Sequence, residues 1–396
     1  MSEGKPMTAA KRRVLYCDHT VALSGGEIAL LNLIRNLDRN RFEPVAALFA
    51  RGPLNDRLRH LGVEVHEILL DPAISGVRKD TLAGRGLLRA MLSPAMPGFV
   101  RSIRLLIQRE CIDIVHTNSL KADILAGLAA RGARRHLIWH IRDRIAEDYL
   151  PRSAVRLMRA LTRTMPHRVI ANSQATLDTL RFLPDNRKGV VVHDGMDPIP
   201  TIPPYPPPGP PVIGLVGRIA PWKGQHVFLE AAAIVRRSFP AARFLIVGTT
   251  LFGETEYAAR VRAECTALGL DDVMTFTGFV EDVGRVYGQL AVLVHASTVP
   301  EPFGQVVLEG MMYGRPVVAT NAGRVPEIVV DGKTGILVPP GDAAAMASAI
   351  ETILKNPGMA VSMGQAGRER ALAEFPMNKV ARKVEAVYDG LYPGHR

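Results

Sequence analysis

Nine of the fourteen residues from 198 to 211, PIPTIPPYPPPGPP, are prolines. Proline lacks an amide donor and fixes φ, so this stretch favours a stiff extended chain over helix or sheet. It predicts a division of the 396-residue chain into two domains, each long enough to bury its own core. On both sides of it, short β-branched runs alternate with amphipathic helical patterns, the signature of βαβ units with parallel strands. Before it the runs are 14–16, 45–49, 63–68, 114–116, 137–140, 169–171 and 190–192; after it they are 212–216, 244–247, 274–277, 292–295 and 317–320. The expected organisation is a first domain over 1–197, a linker over 198–211, a second domain over 212–375, and a terminal helix over 376–396 that packs back on the first domain. Two doubly wound α/β domains leave a cleft between them. Ligands of such sheets bind beyond the carboxyl ends of the strands, so the chemistry is expected to face that cleft.

Charge separates the two halves. The chain carries a formal net charge of +11. All of it lies in the first 200 residues, which hold 31 Lys+Arg and 20 Asp+Glu. Such asymmetry points to an anionic partner of the first half: a phosphate-bearing substrate, a membrane surface or a nucleic acid. Two stretches concentrate it, 78–110 with a net +5 and 131–168 with a net +7. The first mixes arginines with Leu87, Leu88, Met91 and Phe99. It reads as a surface element lying on an anionic bilayer, or as an active-site lid whose charges are solvated. Nucleic acid is disfavoured, because no basic segment is interleaved with aromatic residues. The three cysteines are far apart and in no metal or disulfide spacing, which suggests a reducing cytosol. Arginines break the one long apolar stretch, 82–107, and no spanning helix or signal peptide is expected.

In the second half, the strand over 212–216 runs into Gly217-Arg218-Ile-Ala-Pro-Trp-Lys223-Gly224, followed by a helical pattern. Glycines at a strand-to-helix turn admit a ligand close to the backbone, and Arg218 and Lys223 can neutralise two phosphates there. Solvated loop cations are the alternative. The segment Glu301-Pro-Phe303-Gly304-Gln305-Val306-Val-Leu-Glu309 predicts a loop and then a helix. Free amides near Gly304, Gln305 and Val306 make a ready anion site at its N-terminus. Glu309 lies one turn further on the face of Gln305, where its carboxylate can accept from both hydroxyls of a ribose. Read in isolation, Glu301 would be a helix cap and Glu309 a surface residue.

Glu301 and Glu309 together form an E-x7-E motif. With Arg218, Lys223 and the stretches Gly-Arg-Pro-Val-Val-Ala-Thr and Val-Pro-Glu-Ile, the second domain from Pro211 to about Glu374 closely resembles family 4 of the GT-B retaining glycosyltransferases. The resemblance implies a GT-B fold of two Rossmann-like domains and a nucleotide-diphosphate sugar donor. It implies the diphosphate against Arg218 and Lys223, the ribose on Glu309 and the hexose hydroxyls near Glu301. The Gly278-Phe279-Val280 turn matches the place where such enzymes hold the base. Asn321-Ala-Gly323-Arg324 departs from the two adjacent glycines common in the family, and Arg324 either sets a charge beside the sugar or points to solvent.

The first domain resembles the family more loosely. Ser24-Gly25-Gly26-Glu27 follows the first strand, and in family members such a glycine pair packs against donor phosphate and sugar; a plain tight turn is the alternative. His116 and His140 end strand-like runs, and His140 aligns with a histidine that related enzymes set against the donor sugar. Arg142 and Asp143 follow it, placed for the substrate or for each other. Glycosyl transfer requires stabilising an oxocarbenium-like sugar and a leaving diphosphate. Arg218, Lys223, the helix end at Gly304 and the Gly25-Gly26 amides can do so without metal or other cofactor, and no D-x-D occurs. The resemblance implies retention of configuration, with same-face attack assisted by the leaving phosphate. The expected protein is a metal-independent hexosyltransferase acting on a lipid-linked or cell-surface glycan, peripheral at the cytoplasmic membrane face. A nucleotide-sugar epimerase and a non-catalytic nucleotide-sugar-binding protein are the competing readings.

Overall fold

Seven parallel strands form the sheet of the first unit: β1 (Arg12–Asp18), β2 (Phe42–Leu48), β3 (Glu64–Glu67), β4 (Ile114–Thr117), β5 (His136–Ile141), β6 (Arg168–Ala171) and β7 (Gly189–Val191). Their order is β3-β2-β1-β4-β5-β6-β7. The molecule is described from a computed structural model over residues 11–71, 95–182, 188–250, 253–302 and 304–392. Phe303 and the 78–94 part of the basic stretch lie outside the described residues.

Both faces of this sheet are covered, so its strands are nearly continuous apolar runs. Along β1 the side chains alternate. Leu15 and Cys17 join a core with Phe99, Ile103 and Ile107 from the helix Ala95–Arg109. Val14 and Tyr16 face the opposite core, which contains Val380, Ala381, Val384 and Tyr388 of the helix Met377–Asp389. Those residues fall at i, i+1, i+4 and i+8, one stripe of a helix. This terminal helix thus belongs to the first unit, which comprises the described residues up to Gly195 and those from Met377.

The second unit, Met196–Pro376, has a six-stranded parallel sheet. Its strands are β8 (Val212–Val216), β9 (Arg243–Val247), β10 (Met274–Gly278), β11 (Val292–His295), β12 (Val317–Thr320) and β13 (Ile336–Val338), in the order β10-β9-β8-β11-β12-β13. β13, the edge strand of this sheet, is not among the runs read from the sequence. The proline-rich stretch is part of this unit. Ile199 packs on one of its cores, the Tyr205 hydroxyl donates to the Ala291 carbonyl at 3.0 Å, and buried Arg315 donates to the Pro203 carbonyl at 2.7 Å. Prolines give no amides, but their carbonyls still accept, and a buried guanidinium needs acceptors. Among the described residues no helix is long and apolar enough to cross a membrane.

Candidate active site

In the second sheet the strand order reverses between β8 and β11, the place where a doubly wound sheet opens a crevice at its carboxyl ends. The residues expected to hold a donor lie on the loops that leave those ends. After β8, Gly217 and Arg218 lead to a short 3₁₀ turn, Pro221–Lys223, and Gly224 then caps the helix Gln225–Ser238. Gly224 has φ +71, and a Cβ there would lie 1.9 Å from the Ala296 carbonyl oxygen. Only glycine fits, so the turn is pinned against the loop after β11. The Gln225 side chain donates to the Arg218 carbonyl at 2.9 Å, fixing the loop from its other side.

The loop after β11 carries Glu301, which is buried. Lys223 Nζ donates to Glu301 Oε1 at 2.6 Å, the Ser297 hydroxyl donates to the same oxygen, and His295 Nε2 lies 3.1 Å from it. Burial pushes the carboxyl up, but the charge and hydrogen bond of Lys223 and the electrostatic effect of His295 outweigh it and hold Glu301 well below the usual carboxylate range. Glu301 is an ionised group clamped in place. Its backbone is packed as tightly: Gly323, at φ +62, would bring a Cβ to 2.3 Å from the Glu301 carbonyl oxygen, and the Arg324 amide donates to that oxygen at 3.1 Å. Arg324 does not point to solvent. Its side chain is buried, with the guanidinium 5.5 Å from the Phe375 ring centre.

Gly304 caps the helix Gln305–Met312, whose geometry leaves the amides of Gln305 and Val306 without intrahelical acceptors. Glu309, half-buried on that helix, accepts from the Tyr287 hydroxyl at 2.5 Å, and Tyr287 stacks on Tyr313. Burial raises the Glu309 carboxyl, opposed by the hydrogen bonds of Tyr287 and Gln305. Arg218 leans over the Trp222 ring at 5.3 Å, with Glu254 at 3.7 Å, and Lys223 Nζ lies 4.5 Å from the same ring centre. Phe279 follows the end of β10 with 78% of its surface exposed, and Val280 beside it is partly buried.

Gly25, Gly26 and His140 belong to the first unit, grouped around its own reversal between β1 and β4. Gly25 and Gly26 begin the helix Gly25–Arg35. Its entry is set by Glu27, which accepts from the Ser24 amide at 3.0 Å and the Thr20 hydroxyl at 2.5 Å. At Gly26 an added Cβ would meet Arg142 Cδ at 3.6 Å, an ordinary contact, so packing does not demand glycine there. His140 is buried beside His116, with His140 Nδ1 3.1 Å from His116 Nε2. Burial and the charge of Arg142 push His116 down to about 3 and hold His140 well below the ordinary histidine value. Arg142 and Asp143 do not pair with each other: Arg142 donates to Asp194 and to Asn118, and Asp143 accepts from Tyr149.

Reading the sequence missed His295, Ser297 and Tyr287 in the second unit and Asn118, Asp194 and Tyr388 in the first. His295 had a signal, as a polar residue closing an apolar strand at the ligand end of a sheet. Tyr388 had none, since its contact with His116 spans 272 residues. Among the described residues, Glu64, His66 and Glu110 form a cluster of metal-binding types at the amino edge of the first sheet. Arg13 bridges the carboxylates of Glu64 and Glu110, each at 3.1 Å, and supplies the positive charge itself.

Two doubly wound units, one with a glycine turn carrying Arg218 and Lys223, a carboxylate pair and a helix start at its switch point, define a GT-B protein. Residues 203–370 match the family described as Glycosyl transferases group 1, and residues 23–199 match Glycosyltransferase Family 4; the chain belongs to this group of GT-B glycosyltransferases. It is 30% identical over 185 residues to the lipopolysaccharide core biosynthesis mannosyltransferase LpcC of Rhizobium leguminosarum bv. viciae, covering 47% of this chain and 52% of that protein. It is 32% identical over 198 residues to the phosphatidyl-myo-inositol mannosyltransferase of Mycobacterium leprae, covering 50% of each. The chain spans about half the length of the curated relatives it matches. The crystal structure of Anabaena Alr3699/HepE in complex with UDP and glucose superposes with a TM-score of 0.81 at 26% identity, covering 95% of this chain and 99% of that one.

Proposed function

We propose that this chain is a retaining, metal-independent glycosyltransferase that moves a hexose-type sugar from a nucleotide-diphosphate donor to a lipid-linked or cell-surface glycan. The observation that carries the reading is the clamped Lys223–Glu301 pair on the loops flanking the switch point of the second sheet. An ammonium has three donors; Glu301 takes one, leaving two for a phosphate oxygen. Lys223 therefore couples the sugar side of the donor to its diphosphate. In this reading Arg218 and the amides of Gln305 and Val306 share the diphosphate charge, Glu309 takes the ribose hydroxyls, and Phe279 and Val280 meet the base. Glu301, ionised and immobile, accepts from the hexose hydroxyls. His140, Gly25 and Gly26 are read as donor-contacting residues on the family resemblance, and the absence of a packing reason for glycine at 26 supports a ligand there.

The step breaks the bond from the anomeric carbon to the phosphate oxygen and forms one to the acceptor oxygen, whose proton passes to the departing phosphate. A double displacement needs a carboxylate free to attack carbon. Glu301 is held by Lys223 and Ser297 and Glu309 by Tyr287, which favours attack on the leaving-group face, with retention. The placed cations and the helix start supply positive charge where negative charge develops. The relative crystallised with UDP and glucose and the two mannosyltransferases support a nucleotide sugar and a hexosyl group, and both mannosyltransferase names are consistent with lipid-linked acceptors. We read the charge of the first half as contact with an anionic bilayer at the cytoplasmic face.

The test is transfer by purified protein with a panel of UDP-, GDP- and ADP-sugars and a membrane extract as acceptor. Lys223→Ala and Glu301→Ala are expected to abolish transfer, to less than about 1% of wild type if the pair acts as oxyanion-type groups do. Wild-type turnover in either variant would overturn the assignment. Sugar isomerisation without transfer would replace it with an epimerase.

A further inference from the structure

We propose that Arg142, together with a buried chain of hydrogen bonds from Tyr16 through Tyr388 to His116, fixes the tautomer of His140 so that its Nε2 carries the proton and is presented to the ligand as a donor. Tyr388 and His116 are then positioning residues, acting through His140. The inference deepens the reading of His140 as a contact to the donor sugar and rests on it.

The direction of the chain follows from the one member that cannot accept. A guanidinium only donates. Arg142 Nη2 points at His140 Nδ1 from 3.5 Å, so Nδ1 presents a lone pair. His116 Nε2 lies 3.1 Å from the same nitrogen. Both rings are buried and neutral, so one nitrogen of that contact donates and the other accepts; with Nδ1 of His140 the acceptor, the donor is His116 Nε2. His116 then has its lone pair on Nδ1, where the Tyr388 hydroxyl donates at 2.8 Å. Tyr388 in turn accepts from the Tyr16 hydroxyl at 3.0 Å. Every contact within the chain then pairs a donor with an acceptor. Reversing the chain would set a His140 N–H against an Arg142 N–H.

What remains is His140 Nε2. It is buried and has no hydrogen-bond partner among the described residues. A buried donor left unsatisfied is costly, and the site regains that cost when a ligand oxygen reaches it. The tautomer also removes a role. With its proton on Nε2, His140 has no lone pair there to take a proton from an attacking hydroxyl, so it serves as a donor to substrate oxygen and not as a general base. Tyr388, on the helix Met377–Asp389, thus links the far end of the chain to a ring on β5.

Histidine side-chain ¹⁵N NMR of the full-length protein, with His140 and His116 signals assigned by loss in His140→Gln and His116→Gln, reads the tautomers directly. Wild type is expected to show protonated Nε2 and unprotonated Nδ1 on both rings. Protonated Nδ1 on His140, or a mixture of its tautomers, would overturn the proposal. Tyr388→Phe keeps the ring, which packs edge-on against Phe42, and removes only the hydroxyl. It is expected to mix the His116 tautomers and to lower kcat about fivefold to tenfold, with donor KM within about twofold, as loss of one hydrogen bond predicts. Tyr16→Phe leaves Tyr388 donating and is expected to be milder. An unchanged His116 pattern in Tyr388→Phe would overturn the relay. The NMR result needs no substrate: if no sugar nucleotide supports transfer, the functional reading fails while the tautomers still decide the relay.

Discussion

Glu301 and Glu309 are eight residues apart, yet their surroundings drive them in opposite directions. Glu301 is held ionised by Lys223 and His295 against its own burial. For Glu309 burial dominates, and the hydrogen bonds of Tyr287 and Gln305 only partly offset it. A carboxyl whose folded pKa is raised contributes stability that is complete below its unfolded pKa and is lost as pH rises through the folded value. Ionised Glu309 therefore costs the unliganded protein stability at neutral pH, and a ligand that hydrogen-bonds to it recovers that cost. Glu309→Gln is expected to raise Tm at pH 7 by about 1–3 °C, the scale of a change below 1 kcal/mol in a domain of this size. The gain should shrink as pH falls toward the ordinary carboxylate range, where wild-type Glu309 is already protonated. The same variant should lose most of the thermal shift given by nucleoside diphosphates. Differential scanning fluorimetry from pH 5 to 8 with and without UDP and GDP reads both effects; a variant less stable than wild type at pH 7 would contradict this account of Glu309.

At the scale of elements, two helix starts carry glycine for different reasons. Gly224 is imposed by the fold, through its left-handed φ and the approach of the Ala296 carbonyl. That reason does not extend to Gly26, where among the described residues a methyl group meets only Arg142 Cδ at ordinary distance. Gly224→Ala is thus expected to destabilise by about 1–3 kcal/mol from backbone strain, before any clash. Gly26→Ala should stay within about 0.5 kcal/mol of wild type while transfer falls at least tenfold. Urea unfolding beside a transfer assay separates the two; equal stability losses would mean that Gly26 is structural as well. The sequence carried this much because strand ends and helix starts are local signals. The runs at 212–216, 292–295 and 317–320 coincide with β8, β11 and β12, and the others differ from their strands mainly at the ends. Gln305 and Glu309 share a helix face that can be counted from spacing. Contacts that close only in three dimensions left no such trace. Arg142 finds Asp194 and Asn118 across separate strands, His295 and Lys223 converge on Glu301 from different loops, and Arg315 binds prolyl carbonyls that composition assigns to a linker.

For the molecule as a whole, the uneven charge has a structural counterpart in the first unit. A cavity of about 320 Å³ is lined by Arg131, Arg134, Arg135, His136 and His167. It lies at the amino edge of the sheet, where β5 and β6 begin and opposite the strand ends that carry His140. The C-terminus of the helix Leu120–Gly132 favours cations nearby, which accounts for an arginine or two. It does not account for five basic side chains around one hollow. Burial pushes His167 down first, and the neighbouring His136, Arg131 and Lys188 add to it. The proposed bilayer contact therefore makes a quantitative demand on this edge. At about 1 kcal/mol for each basic residue near an anionic surface, Arg131→Ser/Arg134→Ser/Arg135→Ser should weaken binding to phosphatidylglycerol vesicles on the order of a hundredfold. Wild-type binding should itself fall steeply between low and physiological salt, as screening shortens the reach of these charges. Vesicle co-sedimentation across a salt series measures both. Undiminished binding by the triple variant would move the contact away from this cavity, and no wild-type binding at low salt would leave the charge of the first half to a phosphate-bearing acceptor in solution.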